Sequence, residues 1–233
     1  MIQFFKRRKH ISKIGQFGII SFIVALSLSF IDTIWAVYLY GFLQNEVWVG
    51  LVSSLFTLVS FVSYLYLIPI LEKHSKVGLY KLALFSSGIS YLLFGITQNF
   101  WTIVLLGVIL SVISVLRVDS GGMIIKACSK RKDLAKNEGF IFTVMNLGWL
   151  VGPIVAGYFS EYYSLPLIFI LAGVFMLLSL VMLMLTKLNF KEIKVKKLDT
   201  DHLKNLKLYF KNKNLLKNYI ISGSSSIWWV FTF

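Results

Sequence analysis

The feature that most constrains this chain is a series of six long apolar runs separated by short charged connections. The runs, here called spans 1 to 6, are 18 or more residues long and cover positions 14–43, 47–71, 79–96, 100–125, 140–159 and 165–185. A helix needs about 20 mainly apolar residues to cross the hydrocarbon core of a bilayer, because each residue advances it by about 1.5 Å. Each run therefore predicts one transmembrane helix, and the fold class is an all-α membrane protein.

The composition agrees with this interpretation. Of the 233 residues, 57% are hydrophobic and 15% are charged, whereas a soluble domain carries about 25% charged residues. The single cysteine, Cys128, cannot form a disulfide within the chain. These values exclude a disordered chain, a disulfide-stapled secreted module and a soluble α/β enzyme. We expect no metal site and no cofactor, and the chain has no Gly-Lys-Ser/Thr phosphate-binding loop.

A seventh apolar run begins at Tyr219 and continues to Phe233. Its 15 residues are too few to cross a bilayer comfortably. We therefore expect 219–233 to be the truncated start of a seventh helix. Continuation of the reading frame into further spans would distinguish a transporter from a non-transporting half.

The segment 187–218 between spans 6 and 7 is strongly basic. On a helix, apolar residues would share one side and lysines the other, as for Leu203, Leu206 and Phe210 against Lys204, Lys207 and Lys211. Such helices lie on anionic membrane surfaces. We therefore expect a cytoplasmic amphipathic linker that contacts membrane lipids, in preference to an arm that binds nucleic acid.

The cations occur only in alternate connections. Of the 24 Lys and Arg residues, 23 lie in 1–13, 72–81, 126–138 and 187–217, and the connections around Glu46, Asn99 and Glu161 have none. Lys and Arg concentrate in short cytoplasmic loops, so residues 1–13 are predicted to be a cytoplasmic basic N-terminus of a protein of the plasma (inner) membrane. A cleaved signal peptide is the alternative, but span 1 is longer than the apolar region of such peptides.

Three ionisable residues lie well inside the spans, Asp32 in span 1 and Arg117 and Asp119 in span 4. Charges in the bilayer are costly and normally face a cavity or a partner. Along the helices, Asp32 lies roughly 28 Å from the start of span 1, and Arg117 lies about 13 Å from the end of span 4. We therefore expect two stations at different depths of one pathway, with a structural ion pair as the alternative.

Small and polar residues accompany these charges at helical spacing. The side chains that we predict to line the cavity are Ser29, Thr33, Ala36, Tyr40, Ser111, Ser114, Thr143 and Asn146. Residues three and four apart share one helix face, and small residues also permit close helix packing in lipid. With a charge in each stripe, a polar cavity is the preferred interpretation. Asp119 points about 200° away from Arg117, towards another helix or a gate. We nevertheless include it with Asp32 and Arg117 among the residues expected to couple protons or bind substrate.

Three motifs together resemble the major facilitator superfamily. Span 5 contains Gly148, Gly152, Pro153 and Gly157 at the spacing of the core of the family's motif C. The run 117–121, Arg-Val-Asp-Ser-Gly, is similar to the family's Arg-x-x-Gln-Gly, with serine in the place of glutamine. The loop after span 2, Glu-Lys-His-Ser-Lys at 72–76, stands where the family has Asp-Arg-x-Gly-Arg, with serine in the place of glycine.

The resemblance implies a fold and a set of roles. Residues 14–186 would be a six-helix bundle of two inverted three-helix repeats, half of a 12-helix fold whose C-terminal six-helix half is missing here. Span 5 would supply the conformational motif. The cytoplasmic gating loop would use Glu72, Lys73 and Lys76, although its departure from the family pattern weakens that role.

The leading hypothesis is a secondary active transporter of a small solute that works by alternating access and is coupled to protons. Asp32 would exchange protons, Arg117 would stabilise its charge or bind an anionic substrate group, and the motif of span 5 favours efflux. The alternatives are a non-transporting half and a multi-pass enzyme that acts on lipids. His10, His74 and His202 lie in separate segments, which disfavours the enzyme.

Overall fold

The computed structural model of the protein describes residues 12–186, 211–214, 216, 217 and 220, except for the side chains at positions 68, 69 and 72. The chain divides into two compact units, Met1–Ile193 and Lys194–Phe233. In the second unit, helical backbone is described at 211, 213, 214, 216, 217 and 220. Most of the predicted linker, the predicted seventh helix apart from position 220, and residues 1–11 lie outside the described residues.

Residues 12–186 form six α-helices in succession, with a short 3-10 turn at Arg131–Asp133 before the fifth. The helices are α1 (Lys13–Leu43), α2 (Glu46–Lys73), α3 (Lys76–Ile96), α4 (Phe100–Cys128), α5 (Leu134–Tyr162) and α6 (Leu165–Leu185). All six contain a segment that is long and apolar enough to cross a membrane. The predicted all-α fold with six spans is confirmed for this part of the chain.

Polar side chains mark the ends of the helices. Asn45 and Asn99 accept hydrogen bonds from the first backbone N–H groups of α2 and α4, at 2.9–3.3 Å. Ser12 and Ser75 do the same for α1 and α3 at 3.1 and 3.3 Å. Such caps satisfy donors that have no partner inside the helix. We call the side of the bundle where α1, α3 and α5 begin the Lys13 end, and the opposite side the Asn45 end.

The fifth helix begins earlier than its apolar run. Span 5 was predicted to begin at Phe140, but α5 begins at Leu134. Residues 134–139 contain the good helix formers Ala, Lys and Glu, but the charged and polar residues among them interrupt the apolar run. A prediction based on the length of apolar runs therefore misses the first turns of α5. Much of the connection predicted at 126–138 is helical.

The helix pairs that pack together follow a two-fold pattern. α1 packs most extensively against α5 and α6, α4 packs against α2 and α3, and α3 packs against α6. Exchanging the triplet α1–α3 with the triplet α4–α6 converts α1–α5 into α4–α2 and α1–α6 into α4–α3, and it leaves the pair α3–α6 unchanged. Since α1 and α4 begin at opposite ends of the bundle, the triplets are inverted repeats of each other.

Two glycines lie at the centre of this pattern. A Cβ atom at Gly88 of α3 would lie 3.4 Å from the Gly173 carbonyl oxygen, and one at Gly173 of α6 would lie 2.9 Å from the Gly88 carbonyl oxygen. The contact is reciprocal, as expected where a two-fold relationship brings equivalent positions together. Small residues at such crossings let helix backbones approach closely in a membrane.

A buried aromatic cluster anchors α1 against α3 and α6. The Tyr38 ring lies 4.4 Å from the Phe169 ring between centroids, and Phe94 lies 5.4 Å from Phe169. The Tyr38 hydroxyl donates a hydrogen bond to the Phe94 carbonyl oxygen at 2.9 Å. Deeper along α1, the buried Ser27 hydroxyl donates to the Ala172 carbonyl oxygen at 2.8 Å. These contacts hold α1 in the rotation that places Asp32 at the cavity described next.

Candidate functional site

A cavity of about 440 Å³ lies between the helices of the bundle. Its wall consists of Leu28, Ile31, Asp32 and Trp35 from α1; Ser53, Phe56, Thr57 and Ser60 from α2; Ser87, Tyr91 and Phe94 from α3; Gly107, Leu110, Ser111, Ser114 and Arg117 from α4; and Trp149 from α5. The wall therefore combines one carboxylate, one guanidinium, a group of hydroxyls and several aromatic rings.

The two opposite charges of the cavity lie at different depths. The Phe42 and Phe100 rings, with centroids 6.4 Å apart, bring the Asn45 ends of α1 and α4 to one level. Asp32 lies ten residues from Phe42 along α1. Arg117 lies 17 residues from Phe100 along α4, so at about 1.5 Å per residue it is roughly 10 Å further from that end than Asp32.

Within the described part of the chain, no hydrogen bond or ion pair engages the Asp32 carboxylate or the Arg117 guanidinium. The positive charge of Arg117 nevertheless acts on Asp32 through space. Tyr91 of α3 is influenced by both charges and lines the same cavity. The two charged side chains therefore line one cavity without an ion pair between them.

Hydroxyl groups line the side of the cavity formed by α2 and α4. Ser111 donates to the Gly107 carbonyl oxygen at 2.8 Å, and Ser114 donates to the Ser111 carbonyl oxygen at 2.8 Å. Ser60 of α2 donates across to the Ser111 carbonyl oxygen at 3.3 Å. The hydroxyl protons are thus used by the backbone, and the oxygen lone pairs remain available to accept from a bound molecule.

Aromatic rings form the part of the wall that the sequence did not reveal. Trp35 packs against Phe56 and Phe94 with ring centroids 5.8 and 5.7 Å away, and Trp149 contributes from α5. A signal for the α2 side was present, because Ser53, Phe56, Thr57 and Ser60 recur at the three- and four-residue steps of one helix face. Span 2 carries no charge in its interior, so its sequence does not distinguish a cavity face from an ordinary packing face.

Several residues predicted to line the cavity lie elsewhere. Ser29 is fully buried, and its hydroxyl is within hydrogen-bond distance of the carbonyl oxygens of Leu26, at 2.9 Å, and of Gly148 on α5, at 3.3 Å. The predicted residues that are exposed on the bundle and lie outside the cavity wall are Thr33, Ala36 and Tyr40 on α1 and Thr143 and Asn146 on α5. Asp119 is half-buried outside the wall, close enough to Tyr64 of α2 to act on it electrostatically.

The glycines of α5 make two kinds of contact. Gly148 and Gly152 face α1: a Cβ atom at Gly148 would lie 3.0 Å from the Leu26 nitrogen, and one at Gly152 would overlap the Ser29 side chain. A Cβ atom at Gly157 would meet nothing within 4 Å, and Pro153 is exposed within the continuous helix. The first half of the motif therefore brings α1 and α5 together.

The connection between α2 and α3 is held by its second lysine. The Lys76 ammonium donates to the Leu71 carbonyl oxygen and, at 3.0 Å, to the His74 carbonyl oxygen. A positive charge at the carboxyl end of a helix is favourable, because unsatisfied carbonyl groups point towards it. Lys73 is exposed in the last turn of α2, and position 72 lies in the same turn.

A metal site is not formed by the part of the chain that the structure describes, where no three His, Cys, Asp or Glu residues are grouped to hold an ion.

A comparison with protein families extends the observations on fold and cavity. The family model of the Major Facilitator Superfamily matches residues 17–233. No match was found among curated proteins. The match agrees with six long apolar helices in inverted triplets and with the resemblance of the span 4 and span 5 motifs. The chain is an integral membrane protein that belongs to the Major Facilitator Superfamily, a family of membrane transporters.

Proposed function

We propose that the protein is a secondary active transporter of a small solute, coupled to protons and working in the direction of efflux. The observation that carries this proposal is the pair Asp32 and Arg117, which line one cavity among membrane-spanning helices without an ion pair between them. Intramembrane charges are costly and are kept where they serve transport or proton transfer. A purely structural role would favour direct contact of the two groups, as in the ion pair considered from the sequence.

Asp32 is the proposed proton-exchanging group. A carboxyl group inside a cavity can take up a proton while the cavity is open to one side of the membrane and release it on the other side. Arg117 acts on it through space, so substrate or proton binding at one station changes the free energy of binding at the other. Such coupling is the requirement for driving a solute with a proton gradient.

The proposed transport unit contains a second six-helix half. The exposed faces of α1 and α5 carry polar and aromatic residues within the membrane region, including Thr33, Tyr40 and Asn146. A second bundle against these faces would enclose them, and rocking of the two halves would open the cavity to each side in turn. We further propose that the Lys13 end is cytoplasmic, because it holds the Lys and Arg residues of the short connections.

Efflux is proposed from the motif in α5. Its resemblance to motif C of the superfamily implies exchange of the solute against protons. Gly148 and Gly152 bring α5 against α1, the helix that carries Asp32, so a change in the packing of α5 would be felt at the proton site.

The test uses proteoliposomes that contain a pH-sensitive dye and the protein with its second half, supplied in the same reading frame or as a separate chain. Ethidium, benzoate and the tripeptide Phe-Gly-Phe, representing a cation, an anion and a zwitterion, are added in turn while internal pH is recorded. We expect at least one of them to move protons with the wild-type protein. Asp32→Asn abolishes this movement.

Asp119→Asn is the matched control, because it makes the same change in a membrane-spanning helix but outside the cavity wall. It retains coupled proton movement. If Asp32→Asn moves protons as fast as wild type, the assignment of the proton site is wrong. If solute flux occurs with no proton movement in wild type, coupling itself is wrong while transport stands.

A further inference from the structure

The cavity presents two opposite charges that do not neutralise each other. Asp32 and Arg117 lie roughly 10 Å apart in depth on the wall of one cavity, and neither is engaged by an ion pair among the described residues. A bound cation would satisfy Asp32 and leave Arg117 without a counter-charge, and a bound anion would do the reverse. A molecule with both charges satisfies both groups at once, which avoids burying an uncompensated charge.

The hydroxyl groups between the two charges favour a molecule with N–H groups along its length. Thr57, Ser60, Ser111 and Ser114 all donate their protons to main-chain carbonyl oxygens, at 2.8–3.3 Å. Towards the cavity they can offer only oxygen lone pairs. Amide and ammonium N–H groups are the matching donors for these four oxygens.

The surroundings of Asp32 suit an ammonium group. Trp35 lies one helical turn beyond Asp32 and packs against Phe56 and Phe94, with ring centroids less than 6 Å away. Rings next to a carboxylate attract a cation through their negative faces. The same rings offer apolar contact to the body of a ligand.

We propose that the cavity binds an elongated zwitterion, with an ammonium group at Asp32, a carboxylate at Arg117, N–H groups along its length and an apolar or aromatic body. The proposal rests on the proposed function, since it names the substrate class of the same cavity. The depth difference of roughly 10 Å is the length of an extended chain of about three residues. A cavity of about 440 Å³ accommodates a molecule of that length with small rings.

Phe-Gly-Phe is a probe with this length, both charges, N–H groups and aromatic rings. Its binding to the purified protein in nanodiscs is measured by titration calorimetry in four forms: free, N-acetylated, C-amidated and blocked at both ends. We expect the free tripeptide to bind tightest. Loss of either charge weakens binding about 10- to 100-fold, the range for a hydrogen bond to a charged group. The dipeptide Phe-Phe, too short to reach both charges, binds no better than a singly blocked tripeptide.

Two variants assign each end of the probe. In Asp32→Asn, the free and N-acetylated forms bind alike, while C-amidation still weakens binding. In Arg117→Gln, the free and C-amidated forms bind alike, while N-acetylation still weakens binding. This cross-over isolates each pair, as in a double-mutant cycle. An unchanged melting temperature shows that a variant is folded.

The proposal is overturned if all four forms bind wild type equally or if none binds. It is also overturned if Asp32→Asn removes the discrimination at the carboxylate end instead. Calorimetry at one fixed pH measures binding without a pH gradient, so these outcomes can be read whether or not binding drives proton movement across a membrane. Selective zwitterion binding with no coupled proton movement would retain the substrate class and refute the coupling. Proton movement driven by ethidium or benzoate, but not by Phe-Gly-Phe, would retain the coupling and refute the substrate class.

Discussion

Asp32 of α1 and Arg117 of α4 face one cavity from helices that begin at opposite ends of the bundle, with roughly 10 Å of depth between them. The inverted relationship of the two triplets makes α1 and α4 equivalent helices. One supplies a negative charge and the other a positive charge to the same space. This placement follows from the packing of α1 on α5 and α6 and of α4 on α2 and α3.

The close approach of α5 to α1 predicts the effect of a single methyl group. In Gly152→Ala the new Cβ overlaps Ser29, and overpacking of this kind costs about 1–3 kcal/mol. We expect a lower melting temperature in detergent. Gly157→Ala, where a Cβ meets nothing within 4 Å, leaves it unchanged or slightly higher. Equal effects of the two substitutions would show that Gly152 does not pack as described. Ser29→Gly in the Gly152→Ala background relieves the overlap and recovers part of the loss.

Two buried hydroxyls that join α1 to other helices predict modest losses of stability. Tyr38→Phe removes the bond to the Phe94 carbonyl oxygen, and Ser27→Ala removes the bond to the Ala172 carbonyl oxygen. Side-chain hydrogen bonds between membrane helices contribute about 0.6 kcal/mol on average and up to about 1.7. Unfolding in mixed micelles measures the change. Tyr40→Phe, at an exposed position, is the control and has no effect.

The distribution of cations predicts the orientation in the membrane. In a Cys128→Ser background, Glu161→Cys introduces a thiol at the Asn45 end and Lys132→Cys introduces one at the Lys13 end. Both positions are exposed. A membrane-impermeant maleimide applied to intact cells labels the first and not the second, because Lys and Arg concentrate on the cytoplasmic side. The reverse pattern would contradict the proposed orientation.

Lys76 predicts a role for the α2–α3 connection that is separate from gating. Its ammonium bonds carbonyl oxygens at the end of α2, and such a charge contributes about 0.3–1 kcal/mol. Lys76→Met is expected to lower the melting temperature, while Lys73→Met, which alters an exposed lysine in the same connection, lowers it less. Reduced transport at unchanged stability in Lys76→Met would instead indicate gating.

The sequence was sufficient to predict where the helices lie along the chain. It was insufficient to predict which face of each helix turns towards the cavity. Apolar length and cation placement are properties of the chain itself, so six spans could be predicted, and the buried charges at Asp32 and Arg117 could be singled out. The start of α5 was missed because its first turns are helical without being apolar.

The wall of the cavity was only partly predictable, because small polar residues serve two purposes. Ser29 and Ser111 are both serines in polar stripes, yet Ser29 packs against Gly148 while Ser111 lines the cavity. Only the packing of α1 against α5 and of α4 against α2 separates these cases. The α2 face with Ser53 and Ser60 had helical spacing but no charge to distinguish it.

Access to the cavity from both sides of the membrane tests the central claim most directly. Ser114→Cys, at a cavity position, is made in the Cys128→Ser background, with the second half present. Its reaction with an impermeant thiol reagent is measured in right-side-out and inside-out vesicles. We predict reaction from both sides, with a proton gradient raising the rate from one side and lowering it from the other. Reaction from one side only would contradict alternating access through this cavity. Reaction rates that do not change with the proton gradient would contradict it as well.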